Sequence, residues 1–236
     1  MRTAFISLWP VPGVLFVAIL TAGTLTPNLA RADGRCPGSP IEVTGATQRE
    51  FDLVCDGASK ALRQLGACRI ATRREIRIEL RAGISHPVGR DAIAYYDTVR
   101  GIVLVPRFET VAATVAETPY RFLSPSEFYR SMVVHELVHA VLQQNARRAP
   151  QSRSEQEYPA YALQIASLSD SARARLLQPY AHLAVKGEFI FNDILLALDP
   201  IHFALRAYLH FSESGGGCTR LRSLLSGDAD FIAILQ

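Results

Sequence analysis

The sequence predicts an α+β protein in which a small, mostly antiparallel sheet packs on a buried helix and a largely helical C-terminal part follows. Three observations predict this plan. Strand-like segments lie before residue 107, a strongly apolar helical segment follows near residue 130, and the later chain is rich in amphipathic helical patterns. An earlier amphipathic helix is predicted from Gln48 to Leu65, with Thr47 and Glu50 forming a capping box at its start.

Three segments carry strand patterns. Residues 74–80 alternate apolar and charged side chains, as a half-buried strand should. Residues 92–96 and 101–106 flank a connection of four residues, which predicts an antiparallel hairpin. These strands form the sheet that precedes the central helix.

The central helix has a well-marked start. Ser124 is the predicted cap, Pro125 suits the first turn, and Glu127 stands where a capping box requires an acid. From Phe128 to Leu142 the segment is apolar around most of its circumference, which predicts a helix buried in the core rather than one on the surface.

This helix contains the most informative motif of the chain, His135-Glu136-Leu137-Val138-His139. Two histidines four residues apart stand on one face of a helix, so both imidazoles can reach a single zinc ion. Glu136 can then hold the water that the metal activates. The alternative is a pair of core histidines that bond backbone carbonyls.

A three-ligand zinc site needs one more residue. A third histidine six residues after His139 would extend the motif, but that position holds Asn145. The other common arrangement takes a glutamate from a following helix and leaves the fourth position open for water. Glu155 and Glu157 both lie where the next helical pattern begins, and either can fill this role. Glu157 could instead close a capping box with Ser154.

The motif and its downstream acid resemble the gluzincin-type zinc metallopeptidases, over about residues 92 to 169. The resemblance implies a zincin-like helix with His135 and His139 as ligands of one zinc ion and Glu136 as general base. It favours Glu157 as third ligand, because Ala160 and Tyr161 stand where small or aromatic residues often follow that acid. It also implies that the edge of the sheet pairs with an extended peptide substrate.

The N-terminus predicts export. A mostly apolar stretch from Leu8 to Leu25 is followed by Ala30-Arg31-Ala32, which suits signal-peptide cleavage after residue 32. Residues 33–236 would then form a single zincin-like metallopeptidase domain in the periplasm or outside the cell. A retained membrane anchor is the alternative.

The four cysteines, Cys36, Cys55, Cys68 and Cys218, all follow that point, and an even count in an exported chain favours two disulfides. Of the three pairings, Cys55 with Cys68 and Cys36 with Cys218 is the most attractive. Removing residues 1–32 lowers the formal charge from +3 to +1, so neither nucleic acid nor a membrane is an expected partner.

Two further helices are predicted, from Asp193 to Leu198 and from Ile201 to Phe211. We expect them to close the active-site cleft on the side opposite the sheet. A donor that stabilises the oxyanion during hydrolysis could come from them or from the segment before them. The candidates are His182, His202, Tyr208 and His210, and His202 is the first to test because an Asp-Pro break precedes its helix. Asp193 is a weak candidate for orienting a ligand imidazole.

The sequence therefore predicts an exported zinc metallopeptidase that hydrolyses peptide bonds in peptide or protein substrates by means of a metal-activated water and Glu136. The alternative is a non-catalytic binding module that keeps the peptidase-like fold, with or without zinc as a structural ion. The substrate and the oligomeric state do not follow from the sequence.

Overall fold

The computed structural model describes residues 31–84, 94–184, 191–213 and 216–227. The predicted signal peptide therefore lies almost wholly outside the described residues. Within these residues, the five strands are β1 (Gly34–Arg35), β2 (Ile41–Thr44), β3 (Ile76–Arg81), β4 (Tyr95–Asp97) and β5 (Ile102–Pro106). The α-helices are α1 (Gln48–Ala67), α2 (Phe108–Thr114), α3 (Pro125–Asn145), α4 (Arg153–Ala166), α5 (Asp170–Leu177), α6 (Asp193–Leu198), α7 (Pro200–Ser212) and α8 (Gly217–Ser226). The predicted α+β class is confirmed.

The sheet has the order β1-β2-β3-β5-β4. Its three inner strands, β2, β3 and β5, run parallel, and the two outer strands, β1 and β4, are antiparallel to their neighbours. The expectation of a mostly antiparallel sheet is therefore corrected to a mixed sheet. The reason is that helix α1 connects β2 to β3 and returns the chain to the starting end, which makes these strands parallel. The alternation of apolar and charged residues is the same in either direction.

Helix α3 lies in the middle of the main core. Ser124 caps it by accepting the backbone N–H of Glu127, and Pro125 occupies the first turn, as predicted. Helices α1 and α4 and strands β4 and β5 pack around it. Gly57 of α1 allows a close approach, because a Cβ at this position would lie 2.8 Å from the carbonyl oxygen of Arg130. The prediction of a buried motif helix is confirmed.

Helix α1 begins with the capping box that the sequence predicted. Thr47 accepts the backbone N–H of Glu50, and the Glu50 carboxylate accepts the backbone N–H of Thr47. The same carboxylate also accepts the backbone N–H of Phe108 at 2.9 Å and pairs with Arg107. Glu50 thus ties the start of α1 to the end of the sheet.

Both disulfides form, but with a different pairing from the one favoured above. Cys36 bonds Cys55, and Cys68 bonds Cys218. The error comes from helix length, because Cys55 lies inside α1 and Cys68 caps its end. Thirteen residues of helix separate these two Cα atoms by about 20 Å, whereas a disulfide requires less than about 7 Å.

The C-terminal part of the described chain is helical, and α7 packs mainly on α4. A second, smaller apolar cluster forms there around Tyr158, Phe191 and Phe203. His210 is buried beside it and shares a hydrogen bond of 2.7 Å with the hydroxyl of Tyr158. Among the described helices, none has the length and apolar character needed to cross a membrane.

The two disulfides should contribute unequally to stability. Cys68–Cys218 closes a loop of 150 residues and Cys36–Cys55 one of 19. Loop-closure entropy then gives contributions of about 5 and about 3 kcal/mol respectively. We expect the double variant Cys68→Ser/Cys218→Ser to lose more unfolding free energy than Cys36→Ser/Cys55→Ser in denaturant titrations. An equal loss in the two double variants would contradict the loop-entropy explanation.

His210 should make stability depend on pH. Burial, with a smaller contribution from Arg220, lowers the pKa of His210 to about 4. Between its unfolded pKa of about 6.5 and this folded pKa, the unfolded chain binds the additional proton, so stability falls as the pH falls. The wild type should lose up to about 3 kcal/mol more unfolding free energy than His210→Gln between pH 7 and pH 4. Parallel stability profiles for the two proteins would rule this out.

Candidate metal centre

Helix α3 presents the motif histidines toward α4. The side chains of His135 and His139 are 12% and 16% exposed, and Glu136 is buried. The two Nε2 atoms lie 3.1 Å apart, because four residues along a helix bring the rings to the same face. The sequence prediction that both imidazoles could reach one point in space is thus met.

Helix α4 supplies the third group. The Glu157 Oε2 atom lies 3.1 Å from Nε2 of His135 and 3.7 Å from Nε2 of His139. Among the described residues, His135, His139 and Glu157 are grouped closely enough to hold one metal ion, with their ligand atoms within 4.8 Å of one another. All three residues that the sequence proposed as ligands therefore meet.

The spacing of these atoms suits zinc. A tetrahedral zinc ion with bonds of about 2.0 to 2.1 Å keeps its ligand atoms about 3.3 to 3.4 Å apart. The three observed separations, 3.1, 3.1 and 3.7 Å, lie on either side of that value. Two imidazole nitrogens and one carboxylate oxygen are also a donor set typical of catalytic zinc sites, which keep a position open.

Glu155 is excluded from this cluster by its own contacts. Its carboxylate is buried and pairs with Arg148 at 2.7 Å, while it also accepts the backbone N–H of Gln151 at 2.7 Å. Ser152, and not Ser154, caps helix α4 by accepting the backbone N–H of Glu155. Glu157 therefore has no part in a capping box with Ser154 and is directed to the histidines instead.

The charges around the cluster favour an ionised Glu157. Burial raises the pKa of Glu157, but the charges and hydrogen bonds of His139 and His135 outweigh burial and hold that pKa well below its usual range. Burial lowers the pKa of His135, yet the hydrogen bond and charge of Glu157 raise the net value. The cluster is thus an anionic carboxylate between two imidazoles, which is suited to a cation.

Glu136 is connected to the edge of the sheet. The backbone N–H of Tyr96 on β4 donates a hydrogen bond to the Glu136 carboxylate. Burial raises the pKa of Glu136, and the neighbouring histidines only partly oppose this effect. The hydroxyl of Tyr96 also hydrogen-bonds the side chain of Gln143, so two bonds join β4 to helix α3.

Gln164, which was not predicted from the sequence, contacts the ring of His135 on the side opposite the Nε2 atom. Nδ1 of His135 lies 3.0 Å from Oε1 of Gln164, and this amide is buried. A signal was present, since Gln164 follows Glu157 by seven residues, or two helical turns, and must share its face of α4. Because glutamine is common in helices, this spacing alone does not predict a functional role.

Two tyrosines border the cluster. The ring of Tyr161 meets the ring of His135 edge to face, with centroids 4.7 Å apart. Tyr120 stacks on Phe128, and the charge of Glu157 reaches the hydroxyls of Tyr120 and Tyr161. Burial raises the pKa of both tyrosines, so both hydroxyls keep their protons and can donate them in hydrogen bonds. Only Tyr161 was noted in the sequence, and not as a donor.

The weaker sequence candidates have other partners. His202 bonds Asp199 at the start of α7 and packs edge to face on Tyr180. Asp193 accepts the backbone N–H groups of Ser154 and Arg153, so it supports the start of α4, and the His135 imidazole is bonded by Gln164 instead. A catalytic role for His202 stays a prediction.

The remaining candidates for an oxyanion donor also have structural contacts. Tyr208 lies under the guanidinium of Arg173, and His210 bonds Tyr158 in the core. The side chain of His182 lies outside the described residues.

A protein-family model matches residues 41–233 of the chain. The chain belongs to DUF6639, a family of unknown function. No curated protein and no solved structure matches the chain. The matched region includes the strands β2 to β5, the motif helix and the whole candidate metal centre.

Mutation of Glu155 and of Glu157 should have different effects on zinc content and on stability. We expect the purified wild type to hold one zinc ion per chain and Glu157→Ala to lose it, because a ligand is removed. Glu155→Ala should keep its zinc but lose about 3 kcal/mol of unfolding free energy, because Arg148 remains without its buried partner. Elemental analysis and denaturant titration measure the two effects. Loss of zinc in both variants would contradict the assignment.

Proposed function

We propose that this chain is an exported zinc-dependent metallopeptidase, which hydrolyses peptide bonds with Glu136 as general base. The observation that carries the proposal is the meeting of His135, His139 and Glu157 at separations of 3.1 to 3.7 Å, next to Glu136. A purely structural zinc site needs four protein ligands, and the described cluster offers three. An open fourth position is the property that a hydrolytic site requires.

The donor set fits zinc, and His135, His139 and Glu157 would hold it. When bound, zinc supplies Lewis acidity, which makes water a better nucleophile at neutral pH and polarises a carbonyl group. The remaining chemistry belongs to the side chains of the protein.

Glu136 is placed to move the proton. It follows His135 directly on α3, so its carboxylate lies beside the ligand atoms without being one of them. As general base it takes a proton from the attacking water, and as general acid it gives that proton to the leaving amine. The N–H of Tyr96 holds this carboxylate in place. Tyr120 and Tyr161 are protonated donors at the border of the cluster and are suited to stabilise the developing oxyanion.

A polypeptide substrate is supported by the position of β4. This strand is the outer member of the described sheet and runs beside helix α3, where its Tyr96 contacts the proposed base. An extended peptide that pairs with the free edge of β4 would pass beside Glu136. Such main-chain pairing gives affinity with little selectivity for side chains.

Export is supported by the cysteines. All four are joined in two disulfides, which are typical of proteins in oxidising compartments. A periplasmic or extracellular location fits this chemistry, and the signal peptide predicted for residues 1–32 would deliver the chain there.

Replacement of the proposed base should abolish turnover without releasing the metal. We expect Glu136→Gln to keep one zinc ion per chain and to lower kcat for unstructured polypeptides by about a hundredfold or more, because proton transfer is removed. Glu109→Gln is the matched control, since the side chain of Glu109 is 80% exposed on α2. Cleavage of a quenched fluorescent peptide library measures the rates.

The same assay decides between the enzyme and a binding module. If the zinc-loaded wild type cleaves no member of the library, the enzymatic proposal fails and a non-catalytic module with a peptidase-like fold is favoured. If Glu136→Gln cleaves as fast as the wild type, Glu136 is not the base.

A further inference from the structure

A chain of three hydrogen bonds leads from the backbone of α3 to His135, the first histidine of the candidate metal centre. Ser131 Oγ donates to the carbonyl of Phe128 at 2.8 Å. Gln164 Nε2 lies 3.4 Å from Ser131 Oγ, and Gln164 Oε1 lies 3.0 Å from Nδ1 of His135. Ser131 is 1% exposed and Gln164 4% exposed, so water has little access to these groups.

The donor and the acceptor of each hydrogen bond in this chain follow from the first bond, between Ser131 and Phe128. A backbone carbonyl can only accept, so the hydroxyl proton of Ser131 must point to Phe128. The oxygen of Ser131 then accepts from the amide nitrogen of Gln164, which turns the amide oxygen toward His135. Since that oxygen can only accept, Nδ1 of His135 must carry a proton.

The consequence concerns the other ring nitrogen. In a neutral imidazole with its proton on Nδ1, the Nε2 atom holds a free electron pair. This is the atom that lies 3.1 Å from both Glu157 Oε2 and His139 Nε2. A neutral imidazole coordinates a metal through such a nitrogen, and the hydrogen bond on the opposite nitrogen fixes the ring orientation.

The burial of Gln164 also needs an explanation that packing does not give. An apolar side chain of similar size would fill the same volume without the free-energy cost of burying an amide. The amide is retained where its oxygen faces a ligand candidate and its nitrogen faces Ser131. The hydrogen bonds of the Gln164 amide to His135 and Ser131, rather than its packing, therefore explain why an amide is buried here.

We infer that Gln164 is a positioning residue, which fixes the Nδ1–H tautomer and ring orientation of His135 so that Nε2 is available to a metal ion. This inference deepens the proposed zinc site and rests on it for its function. The donor-to-acceptor direction of these hydrogen bonds is set by the Phe128 carbonyl, which can only accept, and Ser131 passes it on to Gln164. Because the amide is neutral, it orients the imidazole without adding a third negative charge to a centre that already contains Glu136 and Glu157.

The test compares zinc affinity in variants that differ in acceptor chemistry. Gln164→Met keeps the volume and removes the acceptor, so zinc affinity should fall by about 10- to 100-fold. Gln164→Glu keeps an acceptor and should bind zinc at least as tightly as the wild type. Competition with a chromophoric zinc chelator gives the dissociation constants. Equal affinity in Gln164→Met and the wild type would overturn the inference.

The matched control is Gln144→Met on helix α3. The Gln144 side chain accepts the backbone N–H groups of Arg73 and Arg74 at 2.9 and 3.0 Å, so this variant also loses structural hydrogen bonds. Its zinc affinity should equal that of the wild type. If Gln164→Met does not fold, Ser131→Ala takes its place, and it should weaken zinc binding because the amide is no longer held in one orientation. If Ser131→Ala then bound zinc as tightly as the wild type, the inferred role of the Ser131–Gln164–His135 hydrogen bonds would be contradicted.

A second measurement separates this inference from the proposed function. Long-range ¹H–¹⁵N NMR of the imidazoles in the metal-free wild type should show a proton on Nδ1 of His135 that exchanges slowly with solvent, and Gln164→Met should accelerate this exchange. If the wild type binds no zinc but shows this protected proton, the metal proposal fails and the positioning by Gln164 stands. If Nδ1 of His135 carries no proton in the wild type, the inference that Gln164 fixes this tautomer is overturned.

Discussion

The structure depends on the burial of helix α3 around nearly its whole circumference. Of its 21 residues, Val133, Val134, Leu137, Val138 and Val141 are fully enclosed, so polar groups on the same helix cannot rely on water. Each must find a partner in the surrounding elements, because an unpaired polar group in such a place costs several kcal/mol. His135 finds Gln164 and Glu157 on α4, and Glu136 finds the backbone of β4. The candidate metal centre contains several of these buried polar groups close together.

The elements around α3 are held in place by contacts far from that centre. Gly57 allows α1 to approach α3 closely, and Glu50 joins the start of α1 to the end of β5 through Arg107 and Phe108. The disulfides join α1 to the β1 region at Cys36 and to α8 at Cys218. The Glu155–Arg148 pair fixes the beginning of α4, two residues before Glu157, whose side chain extends from the helix toward α3. A centre built from two helices can keep its spacing because both helices are supported in this way.

Local sequence patterns predicted a large part of this arrangement. The caps Thr47 and Ser124 lie where the sequence placed them, because capping involves residues only three positions apart. The ligand trio was predicted from helical spacing and from a resemblance, and the three residues do meet. The disulfide pairing and the parallel strands were missed, since both depend on how distant segments are packed. Gln164 was missed because its partners, His135 and Ser131, are about 30 residues away in the chain.

The sequence by itself determined the α+β class, the buried motif helix and the two motif histidines, His135 and His139, as residues able to bind a metal. These are consequences of residue type and of a period of 3.6 or 2, which act over short distances along the chain. Only the tertiary structure decided that Glu157 rather than Glu155 faces the histidines. The two acids are two residues apart and therefore point to different sides of α4, and the position of Arg148 and of the α3 face selects between them. Distances between segments are set by packing in three dimensions, and no local pattern encodes them.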